Sequence, residues 1–249
     1  MYSEKNKVHE LTNDEILKLI EKYGIATELC MKAGFEGVEI HAANFNLLQQ
    51  FLSPHSNKRT DDWGGSNEKR MNLILKIVDE VCKIREKNKC PEFIIGCRLS
   101  TGETFEDGLT MTDTLKLIKI LSSKQLQYIS ITQKNFFQKT KTEEGIEIEK
   151  MKIIHQEIEG KMALIGAGGL KSGADFNSAM DSGLCELIGA GTASMFNPNL
   201  GILLEKGEEL NVKVDPEHPE YYKMTPGLWK WFVIDANKKE EDKRATIST

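Results

Sequence analysis

The sequence predicts an α/β fold, a partial (β/α)₈ barrel of about five βα units, from three observations. Segments with helical periodicity alternate with short apolar segments, so that each of five predicted strands follows a helix. The strands are apolar along their length, which is typical of parallel strands covered on both faces. The last two strands end in glycine-rich runs, residues 166–169 and 189–191. Because many (β/α)₈ barrels bind phosphate there, a barrel is favoured over a doubly wound sheet.

The first predicted helix begins after Thr12, which has the capping-box spacing to Glu15, and ends at Lys32. A strand over residues 35–40 follows and leads into His41. The same alternation continues along the chain. The later helices are predicted over residues 72–87, 112–122, 147–159 and 172–182, and the later strands over residues 93–100, 128–132, 162–166 and 184–189.

The glycine-rich runs have two interpretations. Glycines at strand ends often only make tight turns that need positive φ, and this explanation suffices for either run alone. Two such runs after neighbouring strands favour a phosphate site, because backbone N–H groups and a helix N-terminus would face the anion. The pair of runs therefore favours a phosphate-containing ligand.

Composition narrows the function classes. Lys and Arg total 33 against 38 Asp and Glu, a formal net charge of −5, so nucleic acid is not an expected partner. No apolar run approaches the roughly 20 residues that span a bilayer, and the amino terminus lacks a signal-peptide core. We expect no membrane association and a cytoplasmic location.

The five scattered cysteines indicate neither a disulfide framework nor a zinc site. One domain is expected, with residues 201–249 as a carboxy-terminal extension and the charged run 238–244 exposed to solvent.

The most specific pattern lies in residues 34–65. It contains the pair His41 and Asn44, the run LLQQFLSP over residues 47–54, and the run NKRTDDWGG over residues 57–65. This segment closely resembles the signature of the old yellow enzyme family, the NADH:flavin oxidoreductases. The resemblance extends over roughly residues 11–200, and its further matching positions are Arg98, residues 167–169, Gly191 and residues 197–198.

The resemblance implies a fold, a cofactor and a reaction. The family fold is an FMN-containing (β/α)₈ barrel, and the matched segment corresponds to its strands 4–8, without the first three. In the family, NADH or NADPH delivers hydride to FMN, and the flavin then reduces a small electron-poor acceptor, usually an activated alkene. The physiological acceptor and the choice between NADH and NADPH stay open.

The resemblance also implies roles for individual residues. His41 and Asn44 become the catalytic pair. Two hydrogen-bond donors that follow a strand end could reach one carbonyl oxygen. A preorganised donor to the negative charge that develops on this oxygen lowers the activation free energy by about 2.7 to 4 kcal/mol. Taken alone, a histidine at a strand end is more often structural and an asparagine is more often a helix cap. The resemblance reverses that preference.

A second set of residues is implied to bind FMN. Arg98 is a cation within an apolar strand, which needs a buried partner, and in the family its equivalent lies beside the flavin ring. The resemblance adds positions at the two glycine-rich loops. The complete cofactor-binding set is Arg98, Gly168, Gly169, Gly191 and Thr192.

Two positions depart from the family pattern. Asn46 stands where the family usually has a tyrosine that donates a proton to the substrate, and an amide cannot act as that acid. Thr192 stands where the family commonly has an arginine for the FMN phosphate. Since a neutral hydrogen bond is weaker than a charge-assisted one, FMN should be held less tightly unless another cation, such as Lys171, compensates.

Two alternative functions remain. Five strands cannot close a barrel that needs eight, so the chain alone has part of the cofactor site. It could therefore be a non-catalytic barrel fragment that needs a partner chain to fold, either a second copy or a complementing barrel half. A flavin-free barrel that binds a phosphate ligand, such as an aldolase, is disfavoured because no lysine stands at a strand end to form a Schiff base.

Overall fold

The computed structural model describes residues 9–141 and 145–234 and contains a five-stranded parallel sheet. In chain order the strands are β1 Gly37–Ala42, β2 Ile94–Ser100, β3 Tyr128–Thr132, β4 Lys139–Lys141, β5 Glu147–Glu149, β6 Ala163–Ala167 and β7 Leu187–Gly189. The parallel sheet has the order β1-β2-β3-β6-β7, and β4 and β5 form a separate antiparallel pair. The spatial order of the parallel strands follows their order in the chain.

Helices separate the strands. They are α1 Asn13–Lys32, α2 Leu47–Leu52, α3 Asn67–Lys87, α4 Met111–Leu121, α5 Lys150–Ile158, α6 Gly173–Asp181, α7 Gly191–Phe196, α8 Leu200–Lys206 and α9 Pro226–Trp229. A 3₁₀ turn, Pro219–Tyr222, precedes α9, and a π-helical segment, Lys230–Ile234, follows it. Capping boxes begin α1, α4 and α6. Within the described ranges, none of these helices has the length and apolar character needed to cross a membrane.

The sheet has two different faces. His41 of β1 is the register partner of Arg98 of β2, which is the register partner of Ser130 of β3. Because side chains at one level of a parallel sheet point the same way, these three share a face. The alternating residues share the other face, which packs in the hydrophobic core with the helices. They include Ile40, Cys97, Ile129 and Leu164, each at most 3% exposed.

The expectation that the strands are covered on both faces is therefore wrong. On the face that carries His41 and Arg98, only Gly96 and Ser130 are buried, and the other residues of β1, β2, β3 and β6 on that face are half-buried or exposed. The physical reason is that polar residues occupy alternate positions, which the high apolar content of the strands obscured. We call this half-buried side the polar face.

Most predicted elements agree with the structure to within a few residues. The strand predicted over residues 128–132 coincides with β3, and the capping box at Thr12 begins α1 as expected. β1 continues to Ala42, so His41 lies inside the strand rather than after it. The helix predicted from residue 72 begins five residues earlier, at Asn67.

The main missed element is the β4–β5 hairpin. Residues 147–149 were expected to start a helix, but they form β5 and pair with β4. Lys139 faces Glu149, and Lys141 faces Glu147. Residues of opposite charge are thus register partners, an arrangement that favours antiparallel pairing over like charges. The charged run over residues 238–244 lies outside the described residues.

Candidate functional site

The polar face brings His41 and Arg98 together at the level of one register pair. Both side chains are half-buried. The Nε of Arg98 donates a hydrogen bond to Oγ1 of Thr132, at 2.6 Å. Among the described residues no carboxylate pairs with Arg98. The remaining guanidinium N–H groups can therefore donate to an anion or to an electron-rich oxygen of a ligand.

The turn that follows β1 places Asn44. Asn44 and Phe45 both have φ of 58°, a left-handed conformation that non-glycine residues seldom adopt. The backbone N–H of Asn44 donates to Oγ of Ser100, at the end of β2, at 3.1 Å. The Asn44 side chain is exposed and makes no hydrogen bond to a described residue. It is available to a ligand at the carboxyl end of the sheet.

The Asn46 side chain contacts His41, which was not foreseen from the sequence. Nδ2 of Asn46 lies 2.8 Å from Nε2 of His41 and 3.2 Å from the backbone oxygen of Ala43. Asn46 is the N-cap residue of α2, yet its side chain makes no capping hydrogen bond. One nitrogen of the catalytic candidate His41 therefore already has a partner within the protein.

The loop after β6 contains Gly168 and Gly169, with φ of 149° and 67°. A Cβ on Gly168 would lie 2.6 Å from the backbone oxygen of Gln133, and one on Gly169 would lie 2.9 Å from that of Lys134. The close packing of the β6 loop on the loop after β3 is therefore a sufficient reason for both glycines. Their predicted contact with a cofactor stays a prediction.

Gly191 differs from these two glycines. It begins α7, has no positive φ, and a Cβ there would meet no atom of the described residues within 4 Å. Neither backbone strain nor packing requires glycine at this position. Thr192 beside it is exposed, and α7 has no side-chain cap. The start of α7 thus offers open space in which a ligand could approach the backbone.

The start of α6 is closed to an anion by its own capping box. Oδ2 of Asp175 accepts the N–H groups of Lys171 and Ser172, both at 2.9 Å. These hydrogen bonds hold the pKa of the Asp175 carboxyl below its usual range. The Lys171 side chain is exposed and makes no hydrogen bond to a described residue. Its predicted role as a substitute for the missing arginine stays a prediction.

The NKRTDDWGG run builds the scaffold around α2. The Asn57 amide donates to the backbone oxygens of Phe51 and Trp63, each at 2.7 Å. Nη1 of Arg59 donates to the backbone oxygen of Leu11 at 2.7 Å, and Trp63 Nε1 donates to Asn13. These contacts join the run to the start of α1. Asn57, Arg59 and Trp63 of the sequence signature therefore have structural roles in this chain.

Tyr128 lies on the polar face but is a poor candidate for the missing acid. Its ring occupies the space beside Gly96, where a Cβ would lie 2.0 Å from the ring. Burial, and then the neighbouring Glu39 carboxylate, raises the pKa of Tyr128 to about 12. Such a phenol gives up its proton less readily than an ordinary tyrosine.

Four polar residues that support the site were not predicted from the sequence. Gln49 is 1% exposed, and Glu103, Ser100 and Thr132 each hydrogen-bond a residue or loop of the site. One signal was present, because a glutamine inside the apolar run LLQQFL needs a partner when it is buried. That signal does not identify the partner, which lies 54 positions away in the chain.

A family model described as the NADH:flavin oxidoreductase / NADH oxidase family matches residues 2–211. The chain is similar to the probable NADH-dependent flavin oxidoreductase YqiG of Bacillus subtilis (strain 168). Identity is 34% over 231 residues, covering 92% of this chain and 62% of that protein. It is also 30% identical to the NADH:acrylate oxidoreductase of Vibrio harveyi, over 91% of this chain and 23% of that protein.

Among solved structures, that of morphinone reductase in complex with tetrahydroNAD superposes with a TM-score of 0.66 at 24% identity. The match covers 88% of this chain and 59% of that chain. This likeness supports the α/β fold with a parallel sheet. The chain spans about three-fifths of the length of YqiG and of this morphinone reductase chain.

Proposed function

Because this chain belongs to the NADH:flavin oxidoreductase / NADH oxidase family, we propose that it functions in FMN-dependent hydride transfer from NADH or NADPH to an electron-poor acceptor. The observation that carries the proposal is the half-buried guanidinium of Arg98, which lies beside His41 on the polar face and has no carboxylate partner among the described residues. A desolvated cation of this kind is costly unless a ligand pairs with it.

The residues of the polar face and of the β7 end fit FMN. Arg98 has N–H groups that no described residue accepts and that could donate to the ring oxygens, and the open space at Gly191 suits the approach of a phosphate to the backbone. We propose Arg98, Gly168, Gly169, Gly191 and Thr192 as cofactor-binding residues. When bound, FMN supplies the two-electron hydride chemistry that no side chain has.

His41 and Asn44 are proposed to bind the oxygen of the acceptor. Negative charge grows on a carbonyl or carboxyl oxygen when hydride reaches the β-carbon of a conjugated alkene, and fixed donors stabilise that charge. The exposed Asn44 amide and the half-buried His41 ring suit this role. The Asn46 amide is too weakly acidic to donate a proton to carbon, so we propose that water delivers the proton to the α-carbon.

We further propose that the five parallel strands are strands 4–8 of a (β/α)₈ barrel. The polar face supports this, because the inner face of such a barrel is lined by side chains from every strand. The same face supports a second candidate function, a non-catalytic barrel fragment that folds with a partner chain. FMN binding by this chain separates the two candidates.

The test is a titration of FMN with the purified protein, in which the quenching of flavin fluorescence reports binding. We expect saturable binding, and Arg98→Gln should weaken it by about 10- to 100-fold, the value of one or two charge-assisted hydrogen bonds. Thr132→Val, which keeps the charge but removes the Nε acceptor, should weaken it less. Lys152→Gln, at an exposed position of α5, is the control. Absence of quenching even when the protein is in large excess over FMN would reject the enzyme proposal and favour the non-catalytic barrel fragment.

A further inference from the structure

We propose that Asn46 is a positioning residue that holds His41 as the tautomer with its proton on Nδ1. His41 then presents its Nδ1–H group, rather than Nε2–H, to the acceptor oxygen. The donation to the acceptor oxygen rests on the proposed function, whereas the tautomer of His41 is a property of the protein alone. The inference gives a role to Asn46, the position where the family pattern has a tyrosine.

The amide orientation of Asn46 follows from the Ala43 carbonyl. The Asn46 atom nearest that carbonyl lies 3.2 Å from the oxygen and 2.8 Å from Nε2 of His41. A carbonyl oxygen only accepts hydrogen bonds, so this atom must be the NH₂ nitrogen rather than the amide oxygen. The opposite orientation would bring two oxygens together with no hydrogen between them.

The tautomer of His41 follows from the amide orientation. The NH₂ group of Asn46 has two hydrogens, one for the Ala43 oxygen and one for Nε2 of His41. Nε2 therefore accepts a hydrogen bond and cannot carry the proton of the neutral ring. A neutral imidazole has one N–H group, so the proton resides on Nδ1.

Local helix geometry does not account for this arrangement. Asparagine is among the preferred N-cap residues because its oxygen accepts a hydrogen bond from the first turn. Side chains that do cap their helices in this chain are Thr12, Ser66, Thr110, Ser172 and Thr225. The Asn46 side chain makes no such bond and contacts His41 instead. A local rule is broken at the residue that touches the site, which is typical of a functional position.

The Nδ1 atom of His41 is free to act as the donor. No hydrogen bond joins it to any described residue, and the ring is half-buried on the polar face. His41 also shares its register level with Arg98. A ligand on the polar face would thus meet one N–H group from His41, with the opposite ring nitrogen already bonded to Asn46.

The tautomer can be measured directly by long-range ¹H–¹⁵N correlation spectra of the ¹⁵N-histidine-labelled full chain. His41→Gln identifies the His41 signals. We expect Nδ1 to be protonated and Nε2 to be unprotonated in the unmodified protein. In Asn46→Asp the carboxylate can only accept, so a proton should appear on Nε2. Asn72→Asp changes another amide, half-buried on α3, that donates to a backbone oxygen, that of Asp62, and should leave the His41 signals unchanged.

Two results would overturn the proposal: a proton on Nε2 of His41 in the unmodified protein, or identical His41 signals in Asn46→Asp. If an Asn46 variant unfolds, the spectrum of the unmodified protein still decides. With FMN and an acceptor present, Asn46→Asp should slow acceptor reduction by about 10- to 100-fold and leave flavin reduction by NADH unchanged. This is less than the roughly 10⁴-fold loss on tautomer inversion in a Ser–His–Asp triad, because Asn44 still donates. Failure to bind FMN would reject the proposed function without altering the measured tautomer.

Discussion

Gln49 on α2 and Glu103 in the loop after β2 are joined by a hydrogen bond of 2.7 Å from Nε2 to Oε1. The oxygen of the Gln49 amide accepts the backbone N–H of Phe45 at 3.0 Å. The Glu103 carboxylate also accepts from the Ser53 hydroxyl and from the backbone N–H of Leu109. The Gln49–Glu103 pair therefore connects the left-handed turn that contains Asn44 to the loop that follows β2.

Glu103→Gln should destabilise the protein, because an NH₂ group replaces one of two oxygens that accept three hydrogen bonds. We expect the free energy of unfolding to fall by about 1 to 3 kcal/mol. The measurement is equilibrium denaturation in urea. Glu106→Gln, an exposed position in the same loop, should change stability by less than about 0.5 kcal/mol. Equal stability of the two variants would contradict a structural role for the Gln49–Glu103 pair.

His41→Ala combined with Asn44→Ala should slow acceptor reduction far more than flavin reduction by NADH. Both side chains are proposed to donate to the acceptor oxygen, and one such donor is worth about 10² to 10³ in rate. Stopped-flow absorbance of the flavin separates the two half-reactions. Asn72→Ala serves as the control outside the site. Equal slowing of both half-reactions would indicate that the pair supports FMN binding rather than the acceptor step.

Gly96→Ala should disrupt the polar face, because its Cβ would lie 2.0 Å from the Tyr128 ring. Overpacking of this kind costs about 1 to 3 kcal/mol of stability. Adding Tyr128→Leu should recover part of the loss, which a double-mutant cycle measures. Gly201→Ala in α8, where a Cβ meets no atom within 4 Å in the described part of the chain, should be neutral or stabilising. A stable Gly96→Ala protein would show that the Tyr128 ring has room elsewhere.

Lys150→Met should stabilise the protein. Lys150 is half-buried and lines a cavity of about 240 Å³, and among the described residues its Nζ bonds only to Thr101. Burial lowers the pKa of Lys150 below its usual 10.5, so the folded state binds fewer protons than the unfolded state. Stability therefore rises with pH between the lowered folded pKa and 10.5, and the full penalty applies below that window.

Removing the charge of Lys150 should raise the free energy of unfolding at pH 7 by up to about 1 kcal/mol, a small value because the side chain is half-exposed. It should also flatten the rise of stability with pH. Urea denaturation at several pH values measures both effects. Lys152→Met, an exposed position on the same helix, should keep the slope. A less stable Lys150→Met protein would mean that the hydrogen bonds to Thr101 outweigh the cost of burial.

Much of the fold was predictable because it depends on local patterns. The capping box at Thr12 and the strand over residues 128–132 were read directly from residue types and spacing. The hairpin of β4 and β5 was not predicted, because residues 147–149 fit the helical periodicity of the segment that follows them. Their pairing with residues 139–141 is a contact between two separate segments. Polar residues also alternate along β1 and β2 in the sequence, but the high apolar content of these strands led to the prediction that both faces are covered.

The sequence by itself determined the α/β alternation, the family and the candidates His41, Asn44 and Arg98. Only the tertiary structure decided that Arg98 lies beside His41 and that Asn46 bonds to His41. The physical reason is that these contacts depend on strand register and on a turn with two left-handed residues. Neither is encoded in the spacing of residues along the chain, because register is set by pairing between segments that lie far apart in sequence.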